Sequence, residues 1–541
     1  MEIAIGLIGG LGLFLYGMRI MGEGLEKAAG EKLKKLIEVL TNNRVMGVLV
    51  GTVVTAIIQS SSATTVMVVG FVNAGIMKLT QAVGVIMGAN IGTTVTAQIV
   101  SFKLEDYAPL AVGLGVAIWL FTSNKRTKTI AEIFIGLGIL FLGMETMSHS
   151  MKPLREYEGF RSLLMSFGQN TLMDNLLGIL AGFGVTAIVQ SSSASIGLLI
   201  ALASQGLLPI EAALPILFGD NIGTCVTALL SSIGANKTAK RAAFIHFLFN
   251  LMGTLIFVFL LKGPVLYLVK SWTPDDAARQ IANAHTLFNV TNMFIQLPFA
   301  GVLVFIARKV IPETEGEEKA VGIKYLDDRI LETPSIALGQ TIKEIIHMGE
   351  LAEESYKKSM EAFFKADEKI ANETFTLETS INTLEREIAS YLVKLSNTPL
   401  SGQQHEIVNE LFNTINDIER VGDHAENLAE LALYRVEHRL DFSEGAIKEL
   451  EMMHDRVLKS YGQAISALKT GDVNTARRVV EREGEIDHIE KSLRASHISR
   501  LNKQLCVPSS GVIFLDIISN LERIGDHSTK IAFSVLDAHS K

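Results

Sequence analysis

Cysteine is nearly absent: Cys225 and Cys506 are the only two in 541 residues. Two cysteines build neither a disulfide framework nor a cysteine-based zinc knuckle. A basic n-region is missing too. The first apolar run starts at Ile3 and no small-residue cleavage site follows, so the N-terminus reads as a retained membrane helix. The soluble part of the chain is acidic and has no basic patch of the kind nucleic acids require, which excludes a nucleic-acid partner. Nor is there a Walker loop, a Ser-His-Asp set or a cysteine nucleophile in a suitable context, so the chain does not read as an enzyme.

What is present is divided unevenly. Mean hydropathy is positive, +0.32, although 20% of residues are charged. Residues 1–310 hold 22 Lys/Arg and 16 Asp/Glu among long apolar runs, while residues 311–541 hold 27 and 41. The net charge of −8 therefore combines a basic membrane half with an acidic soluble half. This predicts an all-α chain: a polytopic membrane domain over 1–310, a linker over 311–334 rich in charge with Gly316 and Gly322, and a helical domain over 335–541.

A spanning helix needs about 20 apolar residues. Candidates are Ile3–Met21, Leu79–Ser101, Tyr107–Thr122, Thr129–Ser148, Pro209–Ser232, Ala242–Leu261 and His285–Ala307. Four segments are short for a crossing: Val45–Ile58, Ala63–Ile76, Leu176–Val189 and Ala194–Leu207. They flank two copies of one motif, Gln59-Ser60-Ser61-Ser62 and Gln190-Ser191-Ser192-Ser193, 131 residues apart. Thr55-Ala56-Ile57-Ile58 and Thr186-Ala187-Ile188-Val189 precede them, and Asn90-Ile91-Gly92-Thr93 recurs as Asn221-Ile222-Gly223-Thr224 at the same offset. Polar turns inside apolar sequence must find partners or line a cavity, so each pair reads as a re-entrant hairpin of two half-helices. Three crossings and a hairpin per copy, over 3–123 and 129–261 with an extra helix at 285–307, make the second copy inverted relative to the first. The entry helices match as well, Gly10 to Met18 against Gly136 to Met144. With the N-terminus outside, Lys27, Lys32, Lys34, Lys35, Lys125, Arg126, Lys128, Lys237, Lys240, Arg241, Arg308 and Lys309 fall on the cytoplasmic side, and so does the soluble half. The loop from Leu261 to Asn283 then faces outward.

Ser60, Ser61 and Ser62, and likewise Ser191, Ser192 and Ser193, offer hydroxyls and amides where a half-helix begins with its positive end. That combination suits a tetrahedral oxyanion. Gln59 and Gln190 bring amide oxygens for a cation or N–H groups for an anion, and Thr64 and Ser195 extend the polar face. Gly92 and Gly223 would permit local unwinding that frees carbonyls, beside Asn90, Thr93, Thr96, Asn221, Thr224 and Thr227; oxygen ligands suit Na⁺. Asp220 stands where the first copy has Ala89, as a cation ligand, a proton acceptor or the partner of a polar side chain. Small and hydroxylated residues also promote ordinary helix packing in membranes.

These residues resemble the type II sodium-phosphate cotransporters, which carry two inverted Gln-Ser-Ser-Ser repeats, each followed by Gly-x-Asn-Ile-Gly-Thr. Here the latter read Gly88 to Thr93 and Gly219 to Thr224. The resemblance implies Na⁺-coupled uptake of inorganic phosphate across a lipid bilayer, the cytoplasmic membrane, with the serine loops and adjacent Gln, Asn and Thr residues as sites. A His-x-x-Phe-Asn pattern occurs at His246–Asn250 and His285–Asn289, and both histidines read as packing or hydrogen-bonding residues.

The soluble half repeats too. Ile418-Glu419-Arg420-Val421-Gly422-Asp423-His424 recurs as Leu521 to His527, an offset of 103. Glu419 and Asp423 share a helix face, as do Glu522 and Asp526. At the same offset Glu481 and Glu485 align with Glu378 and Asn382. Facing helices with paired acids can hold metals; a solvated face with Arg420 and Arg523 in local ion pairs is the alternative. This half resembles PhoU, a phosphate-signalling regulator of two three-helix bundles whose acidic motifs bind iron or zinc. The resemblance implies a metal at Glu419, Asp423, Glu522, Asp526, Glu481 and Glu485, and gating or signalling tied to phosphate status, with phosphate-signalling proteins or a second copy of the chain as partners. A membrane phosphate sensor that does not transport is the competing reading.

Overall fold

The computed structural model describes residues 2–29, 43–102, 104–167, 171–312, 323–504 and 506–539. The expected cytoplasmic Lys32, Lys34 and Lys35 and residues 313–322 of the expected linker lie outside them. Two compact units form, Met1–Glu315 and Gly316–Lys541. Among the described residues both are helical, without a strand.

In the first unit, among the described residues, seven helical stretches are long and apolar enough to cross a membrane. Its helices are α1 (Glu2–Ala29), α2 (Arg44–Ile58), α3 (Ser61–Asn73), α4 (Leu79–Val100), α5 (Ala108–Phe121), α6 (Lys125–Met151), α7 (Glu158–Ser166) and α8 (Leu172–Val189). They continue as α9 (Ser192–Ser204), α10 (Ile210–Gly223), α11 (Cys225–Ser231), α12 (Lys237–Ile256), α13 (Lys262–Trp272), α14 (Ala277–Gln296) and α15 (Ala300–Val310).

Several boundaries differ from the sequence reading, each for a local reason. The helix α8 has 18 residues, enough to cross, because a capping box between Thr171 and Asp174 starts it four residues before Leu176. Conversely, α5 has 14 residues, short of a full crossing. The expected outer loop after Leu261 is largely helix. A π turn over Phe257–Leu261 carries α12 into α13, and Pro264 sits in the first turn of α13, where its missing N–H is tolerated. The last span begins at Ala277 with Asp276 as cap, and Pro298 interrupts it in a 3₁₀ turn, Leu297–Phe299.

Glycine sets the closest helix contacts. A Cβ on Gly10 would meet the Gly143 carbonyl at 2.9 Å and one on Gly17 the Gly136 carbonyl at 2.6 Å; Gly143 and Gly136 meet Gly10 and Gly17 in return, each at 2.7 Å. Rising numbers on α1 meet falling numbers on α6, so these two helices, equivalent in sequence, pack antiparallel through reciprocal positions. Within each copy the helices run parallel: the carbonyls of Arg44, Val48 and Thr52 stand against Gly84, Gly88 and Gly92, numbers rising together on both. Gly51 abuts the carbonyl of Val85 and Gly88 that of Val48; Gly182 abuts the carbonyl of Ile216 and Gly219 that of Ile179. The first two contacts recur as the last two at the offset of 131, so α2 on α4 and α8 on α10 are one packing made twice.

The second unit holds two three-helix bundles: α16 (Pro334–Lys365), α17 (Glu368–Ser396) and α18 (Gly402–Glu437), then α19 (Glu444–Thr470), α20 (Val473–Asn502) and α21 (Pro508–His539). Each buries an apolar stripe at helical spacing, for example Ile381, Leu384, Ile388, Leu392 and Leu395 on α17. From Lys324 the chain already packs on the first bundle, closing with a 3₁₀ turn at Asp328–Glu332.

Candidate functional site

Each Gln-Ser-Ser-Ser motif is a two-residue turn between helices. Gln59 ends α2 in the left-handed region at φ 60°, ψ 23°, and Gln190 ends α8 at φ 55°, ψ 26°. For a residue with a Cβ that conformation costs ~1–2 kcal/mol. Ser60 and Ser191 follow in extended conformation as N-caps of α3 and α9, each hydroxyl accepting from the amide three residues on, of Ala63 at 3.1 Å and Ala194 at 3.3 Å. The first serine of each tract is therefore engaged in capping. Ser61 and Ser62, and Ser192 and Ser193, open the helices, where amides stand outside the helical ladder and the dipole is positive. Ser61, Ser192 and Ser193 are buried.

A hydroxyl pair braces each turn from behind. Thr55 donates to Thr64 at 3.0 Å, and at the same positions of the second copy Thr186 bonds Ser195 at 2.9 Å. Only the second copy adds a carboxylate: Thr186 also donates to Asp220 Oδ1, and Asp220 Oδ2 is buried without a protein partner. Thr227 Oγ1 is buried without one as well. The two glutamines diverge. Gln59 is buried and accepts from Thr96 at 2.8 Å, whereas Gln190 is exposed.

The Asn-Ile-Gly-Thr stretches behave differently from expectation in one respect. Neither is unwound: α4 runs unbroken through Gly92, and Thr224, at the junction of α10 and α11, keeps right-handed helical angles at φ −57°, ψ −28°, with its amide donating to the Asp220 carbonyl at 3.0 Å. Gly92 instead lets the helices approach, since a Cβ there would meet the Thr55 side chain at 2.5 Å. Thr93 and Thr224 donate back to the carbonyls of Ala89 and Asp220, at 3.2 and 3.0 Å. Asn221 donates to its own helix at Leu217, 2.8 Å. Asn90 reaches outward: its Nδ2 donates to Asn250 Oδ1 at 2.8 Å and its Oδ1 lies 3.1 Å from His246 Nε2. Asn250 in turn donates to Cys225 Sγ at 3.2 Å, next to Thr224. One His-x-x-Phe-Asn motif thus bridges the two copies through a fully buried polar chain. In the other, Asn289 donates to the His285 carbonyl at 3.0 Å, and His285 Nδ1 and Asn289 Oδ1 are buried without protein partners. Sequence reasoning left Thr55, Thr186 and Asn250 without roles, although both threonines stand in the extended repeat.

In the second unit the acids do not meet as the offset of 103 suggests. Glu522 and Asp526 converge with Asp487, one oxygen of each lying within 4.8 Å of the others. Glu485 instead faces Arg456 at 3.7 Å, and Glu481 is not in the group. The reason is register. Gly422 packs on Ile381 and Gly525 on Ile486, each with its nearest contacts at the same two side-chain atoms. Gly422 and Gly525 differ by 103, but Ile381 and Ile486 differ by 105, so α20 is shifted two residues and Asp487 is the structural counterpart of Asn382. In the first bundle Asn382 bonds Glu378. Glu419 and Asp423 are flanked there by Arg420, at 3.6 and 3.0 Å. Burial and then the neighbouring Asp526 push the Glu522 carboxyl above its ordinary range, with Asp487 adding to the effect. Three convergent carboxylate oxygens whose mutual repulsion a cation would relieve fit a metal ion by donor chemistry.

The Na⁺/Pi-cotransporter family model matches residues 13–149 and 156–269, both copies of the repeat. Over 299 residues the chain is 30% identical to YqeW of Bacillus subtilis, covering 55% of this chain and 95% of that one. The chain belongs to this family. The PhoU domain model matches residues 345–432 and 450–535, one segment per bundle. Over 536 residues, 98% of this chain and 97% of the other, it is 26% identical to a protein of Salmonella typhimurium named "Putative inorganic phosphate export protein YjbB". Over 379 residues, 46% of this chain and 60% of the other, it is 22% identical to rat "Sodium-dependent phosphate transport protein 2A". The family is one of transporters, and the seven apolar stretches agree with a multi-pass membrane protein.

Proposed function

We propose that the chain is a secondary transporter that couples inorganic phosphate to Na⁺ and imports it across the cytoplasmic membrane, with a cytoplasmic PhoU-like regulatory unit. The observation that carries this is the duplicated helix–turn–helix with its hydroxyl pairs. Two helix N-termini present serine hydroxyls and free amides to an anion, and the second copy adds Asp220 beside Thr186 and Ser195, an oxygen set for a hard cation. Reciprocal antiparallel packing of α1 and α6 supports an inverted pair of repeats enclosing the site. Ser61, Ser62, Ser192 and Ser193 bind phosphate, while Gln59, Thr64, Ser195, Asn90, Thr93, Asn221, Thr224 and Asp220 serve coupling. In the regulatory unit Asp487, Glu522 and Asp526 would hold iron or zinc.

Purified protein in proteoliposomes tests this reading. Uptake of ³²P-phosphate should require Na⁺ and fall below a tenth when Ser61→Leu or Ser192→Leu fills a turn. Uptake unaffected by replacing Na⁺ with choline would refute the coupling. Saturable phosphate binding without counterflow exchange would establish a sensor instead. A second reading, export, is favoured by the name of the full-length Salmonella relative; net efflux from phosphate-loaded cells, with no Na⁺-driven uptake, would decide for it.

A further inference from the structure

The two bundles of the second unit end differently. In the first, the end formed by α16, the last turns of α17 and the start of α18 is closed by the chain's own segment Lys324–Glu332. Glu344 Oε2 accepts the amides of Lys324, at 2.9 Å, and Tyr325. Tyr391 donates to the Asp327 carbonyl at 3.0 Å and Lys394 pairs with Asp328 at 2.7 Å. Leu326 and Ile330, four residues apart, are inserted, at 9% and 0% exposure.

In the second bundle the offset of 105 holds on α19 as well, where Tyr356 and Tyr461 donate reciprocally to the carbonyls of His454 and Gly349, and it places Glu449 at the position of Glu344 and His497 at that of Leu392. Among the described residues no backbone amide donates to Glu449. Its carboxylate is held by Arg500, at 2.7 and 2.8 Å, and by Ser496 at 2.9 Å. Where the first bundle is plugged, the second has a cavity of about 300 Å³ lined by Phe442, Ala446, His497, Arg500, Cys506 and Phe514, among others. His497 is 3% exposed, stacks on Phe514 at 4.9 Å and has no partner for Nε2. Ile498, Val507 and Val512, on the same helix ends, are exposed at 49%, 60% and 59%. An apolar recess with a few polar groups is what a ligand site needs, and an apolar surround on a soluble domain marks a docking surface.

We propose that this end of the second bundle is a docking site for a short peptide segment of a partner protein carrying two aliphatic side chains four residues apart, seated as Leu326 and Ile330 are seated in the first bundle. The sister closure supplies both the shape and the chemistry of the occupant: aliphatic anchors, with backbone groups offered to polar side chains at the rim.

The probe is a fluorescein-labelled peptide of residues 324–332, Lys-Tyr-Leu-Asp-Asp-Arg-Ile-Leu-Glu, added to the full chain in detergent and followed by anisotropy. Saturable binding is expected, weakened at least tenfold when Ser510→Trp fills the recess and equally when both aliphatic anchors of the peptide are alanine. A second measurement needs no substitution in the protein. Alkylation of Cys506 by a maleimide, read by mass spectrometry with the buried Cys225 as internal reference, should slow at least fivefold in saturating peptide. No binding, binding unchanged by Ser510→Trp in a folded variant, or unprotected Cys506 would each overturn the proposal.

Discussion

Gly51 and Gly182 lack side chains because a neighbouring helix carbonyl, of Val85 and of Ile216, occupies the space a methyl would take. Replacing either by alanine forces α2 from α4 or α8 from α10. Overpacking of this kind costs ~1–3 kcal/mol, so Gly182→Ala should lower the thermal midpoint in detergent by several degrees. Gly113→Ala, where nothing lies within 4 Å, should leave it unchanged or raise it; equal midpoints for both would remove the close contact as the reason. Asp220 carries a different kind of prediction. Asp220→Asn keeps an acceptor for Thr186 but removes the charge. If that charge holds a cation, the Na⁺ concentration giving half-maximal phosphate uptake should rise at least tenfold while the thermal midpoint stays within a few degrees. Unaltered Na⁺ dependence would make Asp220 a structural acid. Asp220 was legible in the sequence as an acid where the first copy has Ala89. Its partner Thr186 was not, because its approach to Asp220 depends on how closely α8 and α10 pack, and that is fixed by Gly182 and Gly219 together.

Elements were legible to the extent that their signals were local. Helices, the polar turns and both bundles follow from apolar periodicity and motif repetition. The π turn before Lys262 and the early start at Ala277 were hidden, because a Lys-Gly-Pro run and a charged segment normally end a helix. Register across a bundle was hidden for another reason. The offset of 103 is true of α18 and α21 but fails by two residues on α20, and a two-residue shift on a helix turns a side chain through more than half a turn. Asp487→Asn should therefore abolish high-affinity Zn²⁺ or Fe²⁺ binding to the chain, while Glu481→Gln and Glu485→Gln leave it within twofold, as measured by calorimetry and metal analysis; loss on Glu485→Gln would restore the offset reading. The same cluster sets a pH dependence. The folded state holds the Glu522 proton more tightly than the unfolded chain does, so in chelator the folded state gains from that proton at low pH. That gain is lost as pH rises from the ordinary carboxylate value of about 4.3 through the raised one. Relative to Glu522→Gln, the metal-free chain should lose stability across that window, and a divalent cation at neutral pH should restore it.

At the scale of the molecule, two copies of one helix–turn–helix sit within a unit whose equivalent entry helices run antiparallel, and a buried chain from Asn90 through Asn250 to Cys225 ties one copy to the other. A polar tie of this kind is hard to break in a low-dielectric interior, which favours the copies responding together when either turn is occupied. Symport requires such a link between anion and cation sites, and it makes direction a property of the gradients and not of the protein. With one Na⁺ coupled per phosphate and no membrane potential, a tenfold Na⁺ gradient supplies about 1.4 kcal/mol and supports about tenfold accumulation of phosphate; each further coupled Na⁺ multiplies this by another ten. In proteoliposomes with equal phosphate on both sides, an inward Na⁺ gradient should drive net entry, the reversed gradient net exit at a comparable initial rate, and equal Na⁺ only exchange of label. This behaviour reconciles an uptake carrier with relatives named for export, since one coupled carrier does both. Net movement that keeps one direction when the Na⁺ gradient is reversed would show that phosphate is not driven by Na⁺ through these turns.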